Sequence, residues 1–182
     1  MDIEIILDPN LTPTQLAEIA VIAEQGGVRT LWHSNLYSSW DAFVALVPAA
    51  MATKRIKLGV LAVSPYEMHP LKISNAILSL NEIANGRAII AIGGGGAVVS
   101  ATSEAGVYLD PKKLRIVRGV REAVEIVKAA YSGELVKPYE GELFRITLPV
   151  RTDWAKAQPP LVYTCSDGPQ MTRMGARVAD GM

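Results

Sequence analysis

Short apolar runs that alternate with segments of helical spacing predict an α/β protein, a parallel sheet with crossover helices. Two further observations in the 182-residue chain support this. The strand candidates are apolar at successive positions, as a sheet covered on both faces requires. The helix candidates open on capping or proline signals and mostly close on glycine.

Ile3 to Leu7 is the first strand candidate, ended by Asp8-Pro9-Asn10. Thr12, Pro13 and Gln15 then form a capping box with proline at the first helical position. Leu16, Ile19, Ala20 and Ala23 mark the inner face of that helix, and Gly26-Gly27 stops it. Val28 to Trp32 is the second strand. Asp41 caps a helix with Phe43, Val44, Val47 and Met51 on one side, which Pro48 should kink or shorten. Ile56 to Val63 is the third strand. Pro70 opens a helix with Ile73, Ile77, Leu80 and Ala84 inward, closed by Gly86. Arg87 to Ile92 is the fourth strand. After a long loop, Gly93 to Asp110, a helix starts at Asp110-Pro111 with Val117, Val120, Val124 and Val127 inward and ends at Gly133. Glu140-Gly141-Glu142, between Val136 and Phe144, reads as a small hairpin. Pro160 to Cys165 is the fifth strand, Met171 to Ala179 the next helix, and Ala179 to Met182 sits where a sixth strand should begin.

Five strand–helix units could complete a doubly wound sheet but not a barrel of eight. The pattern stops in mid-course, so residues 1–182 are read as the N-terminal portion of one longer barrel domain, an incomplete TIM (β/α)8 barrel. Such a piece should expose unpaired strand edges, which favours association into a homo-oligomer.

Composition narrows the function classes. Eighteen basic residues balance 18 acidic ones, with no basic run, which argues against a nucleic-acid groove or an anionic membrane surface. One cysteine, Cys165, forms no internal disulfide and no thiolate metal site, and no metal-ligand cluster is apparent. No secretory leader or spanning stretch is seen, so a cytoplasmic protein is expected.

In parallel α/β architectures the chemistry sits at the carboxyl ends of the strands. Those ends carry His33-Ser34-Asn35, Ser64 to Pro70, Gly93-Gly94-Gly95-Gly96 and Ser166-Asp167-Gly168-Pro169. Consecutive glycines let the backbone approach a ligand and aim its amides at an anion. The run is neither a P-loop, since no Gly-Lys-Ser/Thr follows, nor a dinucleotide fingerprint, since no helix is expected to open directly after it. Ser166 to Pro169 reads as an N-cap or as a phosphate seat at a helix start. Asp167 repels phosphate, so contact there would come from Ser166 or the amides near Gly168. His69 precedes Pro70 and reads as orienting the helix start. Cys165 reads as a small buried residue rather than a nucleophile.

Several motifs in fixed order carry a resemblance. They are Asp41-Ala42-Phe43-Val44-Ala45-Leu46, Ala52-Thr53-Lys54-Arg55-Ile56-Lys57-Leu58-Gly59, Ser64-Pro65-Tyr66-Glu67-Met68-His69-Pro70, Leu80-Asn81-Glu82-Ile83-Ala84-Asn85-Gly86-Arg87 and Ala91-Ile92-Gly93-Gly94-Gly95. Pro160-Leu161-Val162-Tyr163, Gly168-Pro169 and Ala179-Asp180-Gly181 continue the match over nearly the whole chain. Together they resemble the luciferase-like monooxygenase superfamily, nearest its coenzyme F420-dependent branch, which includes methylenetetrahydromethanopterin reductase.

The resemblance implies a (β/α)8 barrel of roughly 330 residues, of which this chain would hold about the first five units. It implies a non-prolyl cis peptide behind the cofactor ring near the end of strand three, here Leu61–Ala62. It puts the cofactor phosphate near the glycine run and Ser166 to Gly168. Cofactor contacts are then Ser34, Leu61, Ala62, Ser64, Gly93, Gly94, Gly95, Gly96, Ser166, Asp167 and Gly168. Where the branch often carries Asp-His after strand two, this chain has Ser34-Asn35; where it often carries an acid after the glycines, this chain has Gly96. None of these moves a proton near neutral pH. That leaves His33 as the substitute proton carrier, with Asn35 the second catalytic candidate by its place in the motif. The implied activity is hydride transfer between F420 and a small organic substrate. One alternative is an FMN-dependent monooxygenase, another a non-catalytic flavoprotein-like subunit.

Overall fold

The computed structural model describes residues 2–96, 99 and 115–182. In chain order the elements are β1 (Glu4–Leu7), α1 (Pro13–Gln25), β2 (Thr30–Ser34), α2 (Ala42–Ala45), α3 (Val47–Ala52), β3 (Lys57–Val63), α4 (Pro70–Ile83), β4 (Ala88–Ile92), α5 (Ile116–Ser132), a 3-10 turn (Glu134–Val136), β5 (Tyr139–Glu140), β6 (Arg145–Ile146), β7 (Leu161–Thr164) and α6 (Pro169–Val178). Five strands form one sheet in the order β1-β2-β3-β4-β7, and β5 pairs only with β6. A doubly wound sheet reverses its strand order at a switch point, whereas a barrel adds each strand beside the last. The order here never reverses, so the chain has the topology of an incomplete (β/α)8 barrel. The chain divides into two compact units: Met1–Ala62, Ala76–Ile90 and Ala155–Leu161 in the first, and Val63–Asn75, Ala91–Trp154 and Val162–Met182 in the second.

In the first unit α1 starts as expected. Thr12 N–H donates to Gln15 Oε1 at 2.9 Å, and Gln15 N–H donates to Thr12 Oγ1 at 3.3 Å. Leu16, Ala20 and Ala23 are buried, while Ile19 is only half-buried. Val28 N–H still donates to Ala23 O at 2.9 Å, closing the helix end. That capping bond delays β2, which runs Thr30–Ser34 rather than Val28–Trp32 and pairs parallel with β1 and β3. His33 therefore lies inside the strand and not after it.

Pro48 shortens the next helix into α2 and α3, with Leu46 between them. The break resets the helical phase. Phe43, Ala49 and Ala50 turn inward, but Val44 and Met51, expected inside, are 64% and 76% exposed. Glu24 and Arg87 secure the turn into β3. Glu24 Oε1 accepts the amides of Lys54, Arg55 and Ile56 at 2.9, 2.6 and 3.0 Å. The Arg87 guanidinium donates to the carbonyls of Ala50, Thr53 and Ile56 and to Thr53 Oγ1. Gly59 pairs with Trp32, whose ring occupies the space a Cβ would fill. Ile77, Leu80 and Ala84 are buried as the helical spacing requires.

In the second unit α5 buries Val120, Ala123, Val124, Ile126, Val127 and Ala130, and it ends at Gly133 with φ +78. Its expected start at Asp110-Pro111 lies outside the described residues. The hairpin forms as β5 and β6. The buried Glu122 carboxylate holds its turn, accepting the amides of Glu142, Leu143 and Phe144 at 2.9, 3.0 and 3.0 Å. The sixth pairing also begins where expected. Thr164 N–H donates to Gly181 O at 3.0 Å, and Asp180 N–H donates to Val162 O at 2.8 Å. Among the described residues no helix is long and apolar enough to cross a membrane.

Candidate functional site

The residues singled out in the sequence fall into two groups, one in each unit. In the first unit β2 and β3 run side by side to their carboxyl ends. Ser34 pairs with Leu61, and Asn35 N–H donates to Leu61 O at 2.7 Å. The Leu61–Ala62 peptide is cis, as the family resemblance implies. Asn35 Oδ1 accepts the Ala42 amide at 3.2 Å, so this side chain steadies the start of α2. His33 is fully buried between its partners Leu7 and Val60, and neither ring nitrogen has a hydrogen-bond partner. Burial pushes its pKa down, so the ring is neutral at pH 7.

In the second unit three strand tips meet edge to edge. Gly93 N–H donates to Val63 O at 2.9 Å, and Cys165 N–H donates to Ile92 O at 3.0 Å. Ser64, the glycine run and Ser166 thus leave the sheet from neighbouring positions at the same end. Ser64 is buried and makes a tight turn: its carbonyl accepts from the Glu67 and Met68 amides, and its Oγ accepts from the Tyr66 amide at 3.2 Å.

The glycines are required by space as well as by conformation. A Cβ on Gly94 would lie 2.5 Å from Ile116 Cγ2. Gly95 has φ +82, and a Cβ there would overlap Val99 and lie 2.8 Å from Ser64 Oγ and 2.9 Å from Glu67 Oε1. Gly96 has φ +50, and a Cβ there would meet nothing within 4 Å. Val99 N–H reaches Gly95 O at 3.4 Å, a helix-like turn directly after the glycines where a loop was expected. The rest of that expected loop, residues 97–98 and 100–110, lies outside the described residues.

At the third tip Thr164 Oγ1 and Ser166 Oγ are 3.0 Å apart. Gly168, with φ +82, is the N-cap of α6, and neither Ser166 nor Asp167 caps the helix with its side chain. This decides the two readings of Ser166 to Pro169 against a side-chain N-cap. Cys165 is half-buried, and burial, then the charge of Asp167, pushes its thiol pKa up, away from nucleophilic behaviour. His69 does orient the start of α4: its Nδ1 accepts the Leu71 amide at 3.2 Å, and its ring meets Phe144 edge-on at 5.5 Å.

Glu67 was not singled out from the sequence. Its carboxyl converges with Ser64 Oγ on Gly95, and burial raises its pKa. The available signal was that Glu67 is the only acid between the end of β3 and Pro70. Among the described residues no group of His, Cys, Asp and Glu has the makings of a metal site.

A family model for luciferase-like monooxygenases matches residues 5–182. The chain belongs to the luciferase-like monooxygenase family. Among its relatives is the F420-dependent glucose-6-phosphate dehydrogenase of Kineococcus radiotolerans, 33% identical over 178 residues, 93% of this chain and 51% of that protein. Another is the 5,10-methylenetetrahydromethanopterin reductase of Archaeoglobus fulgidus, 30% identical over 174 residues, 96% of this chain and 50% of that protein. The solved coenzyme F420-dependent tetrahydromethanopterin reductase of Methanopyrus kandleri superposes with a TM-score of 0.82 at 26% identity, over 99% of this chain and 54% of that one. The chain spans about half the length of the relatives it matches.

Proposed function

We propose that this chain is the N-terminal portion of an F420-dependent oxidoreductase that passes a hydride between the deazaflavin and a small organic substrate. The observation that carries the reading is the meeting of three strand tips at a backbone turn so closely packed that only glycine fits it. Side chains at Gly94 and Gly95 would collide with Ile116, Val99, Ser64 and Glu67, so only glycine lets this backbone pack at the strand tip, and at Gly96 it faces open space that a ligand's phosphate can approach. The uncapped start of α6 beside Ser166 offers a second set of amides for an anion. These tips therefore suit a phosphate-bearing cofactor such as the F420 named for the Kineococcus radiotolerans dehydrogenase and the solved Methanopyrus kandleri reductase.

When bound, F420 supplies hydride chemistry; the protein orients it and excludes water. In this reading the amides of Gly93 to Gly96, with Ser166 and the amides near Gly168, hold the phosphate. Ser64 adjoins the glycine run in the second unit, and in the first unit Ser34, Leu61 and Ala62 are the residues that the family resemblance assigns to the cofactor ring. Glu67, whose carboxyl pKa burial raises, is the group that exchanges a proton with the substrate in this reading. His33, buried and neutral, and Asn35, engaged with α2, hold the carboxyl end of β2 in the first unit. The functional unit is a cytoplasmic homo-oligomer, supported by apolar side chains such as Ile6 that β1 leaves exposed.

The test is an anaerobic titration of the protein with F420 and, separately, with FMN, followed by candidate substrates. Saturable F420 binding and bleaching of its absorbance on reduction support the proposal. Tight FMN binding, with oxygen consumption once air is admitted after reduction, moves the assignment to a monooxygenase. Binding of neither cofactor by a folded oligomer supports a non-catalytic subunit and overturns it.

A further inference from the structure

The second unit carries a groove of about 620 Å³ between α5 and α6 that the proposed redox site does not use. One full stripe of α6, Gln170, Arg173, Met174, Arg177 and Val178, faces it at i, i+3, i+4, i+7 and i+8 spacing. On a helix packed against a neighbour, that stripe is usually apolar. Here it carries two guanidinium groups. From α5 come Val117, Arg118 and Arg121, so four arginines surround an apolar floor, and no carboxylate is among the described residues that line it.

The charges are only partly balanced from outside. Arg118 pairs with Glu142 at 2.6 Å, and Glu142 is shared with Arg115. Arg121 pairs with Glu125 at 2.7 Å, its i+4 neighbour. Arg173 and Arg177 have no carboxylate partner among the described residues. Five guanidinium groups therefore meet two carboxylates, on a chain whose net charge is zero. Like charges at i, i+4 on one helix repel, so Arg173 opposes Arg177, which by itself is favourably placed in the last turn. Guanidinium forks match phosphate oxygens in geometry as well as charge. The volume lies in the range of small-molecule sites.

We propose that the α5–α6 groove binds a small molecule carrying two or more adjacent phosphate groups, with Arg173 and Arg177 as its principal contacts. The apolar floor of Val117, Met174 and Val178 accepts the organic part of such a ligand. The site is separate from the glycine cradle and does not depend on the cofactor assignment.

Inorganic pyrophosphate serves as the probe, titrated calorimetrically into the folded chain, with orthophosphate as the comparison of lower charge. The proposal expects saturable pyrophosphate binding that exceeds orthophosphate binding and weakens as salt is added. The double variant R173Q/R177Q, altered only at exposed positions, should lose about tenfold or more in affinity, the order expected for removing charge-assisted hydrogen bonds. Substitution of Arg151, exposed and outside the groove, by glutamine should change nothing. No saturable binding overturns the proposal. So does affinity that R173Q/R177Q leaves intact, since the anion then sits elsewhere, the glycine cradle included.

Discussion

Replacing Gly95 and Gly96 one at a time by alanine separates the two reasons a glycine can be needed. Both have positive φ, at +82 and +50, so both alanines bear the left-handed penalty of about 1–2 kcal/mol. Only at Gly95 does the new methyl meet other atoms: it overlaps Val99 and crowds the buried Ser64 hydroxyl and Glu67. Overpacking of this kind adds about 1–3 kcal/mol, at the low end if the Glu67 side chain swings away. Gly95→Ala should therefore cost about 2–5 kcal/mol and Gly96→Ala about 1–2 kcal/mol. The assay is urea denaturation, where an m-value of about 1–3 kcal/mol/M turns that gap into a clearly resolved difference in midpoint. Cofactor affinity is measured on the same samples below the transition. Gly95→Ala should lose affinity sharply, because its methyl displaces Val99, Ser64 and Glu67 and shifts the amides of the turn, while Gly96→Ala keeps most of it. Equal destabilisation by the two alanines, or an unchanged cofactor affinity in Gly95→Ala, would refute the reasoning.

Three other outcomes are expected. Burial raises the pKa of Glu24, but the amide hydrogen bonds from Ile56, Arg55 and Lys54 and the Arg55 charge outweigh it and hold the value to about 2. A folded pKa below the unfolded value of about 4.3 means stability that is full at neutral pH and lost as pH falls toward 2. Glu24→Gln should cost about 1–2 kcal/mol at pH 7 after allowance for solvent screening, and should flatten the acid limb of a stability–pH curve. His33 is a base whose pKa is lowered by burial, so its contribution runs the same way, with stability falling as pH drops below about 6.5. His33→Leu should remove that part of the acid loss, read from thermal melts across pH. Glu67→Gln should reduce turnover by about 100-fold or more and remove a pH limb from kcat while leaving cofactor affinity unchanged, by stopped-flow assay and titration.

The sequence was most informative where local rules act alone. The capping box at Thr12, the stop at Gly133, the hairpin around Gly141 and the break at Pro48 all depend on near neighbours in the chain. Boundaries shifted where two elements competed for one residue. Val28 has a good strand side chain, but its amide closes α1, so β2 starts later and His33 is buried within the strand. Val44 and Met51 were misplaced because an unbroken helical period was carried across Pro48. The cis bond at Leu61–Ala62 was reached only through family resemblance, since neither residue signals it. Glu67 was missed because its convergence with Ser64 on Gly95 joins separate turns. The arginine groove brings together helices about 50 residues apart, and nothing in the spacing of either helix alone reveals it.

Amide chemical shifts followed while F420 is added test the central claim most directly. The account expects saturable shifts at Ala62, Ser64, Gly93 to Gly96 and Ser166 to Gly168, with the α5–α6 groove unmoved. Shifts that avoid the glycine amides, or that gather along Arg173 and Arg177 instead, would contradict it.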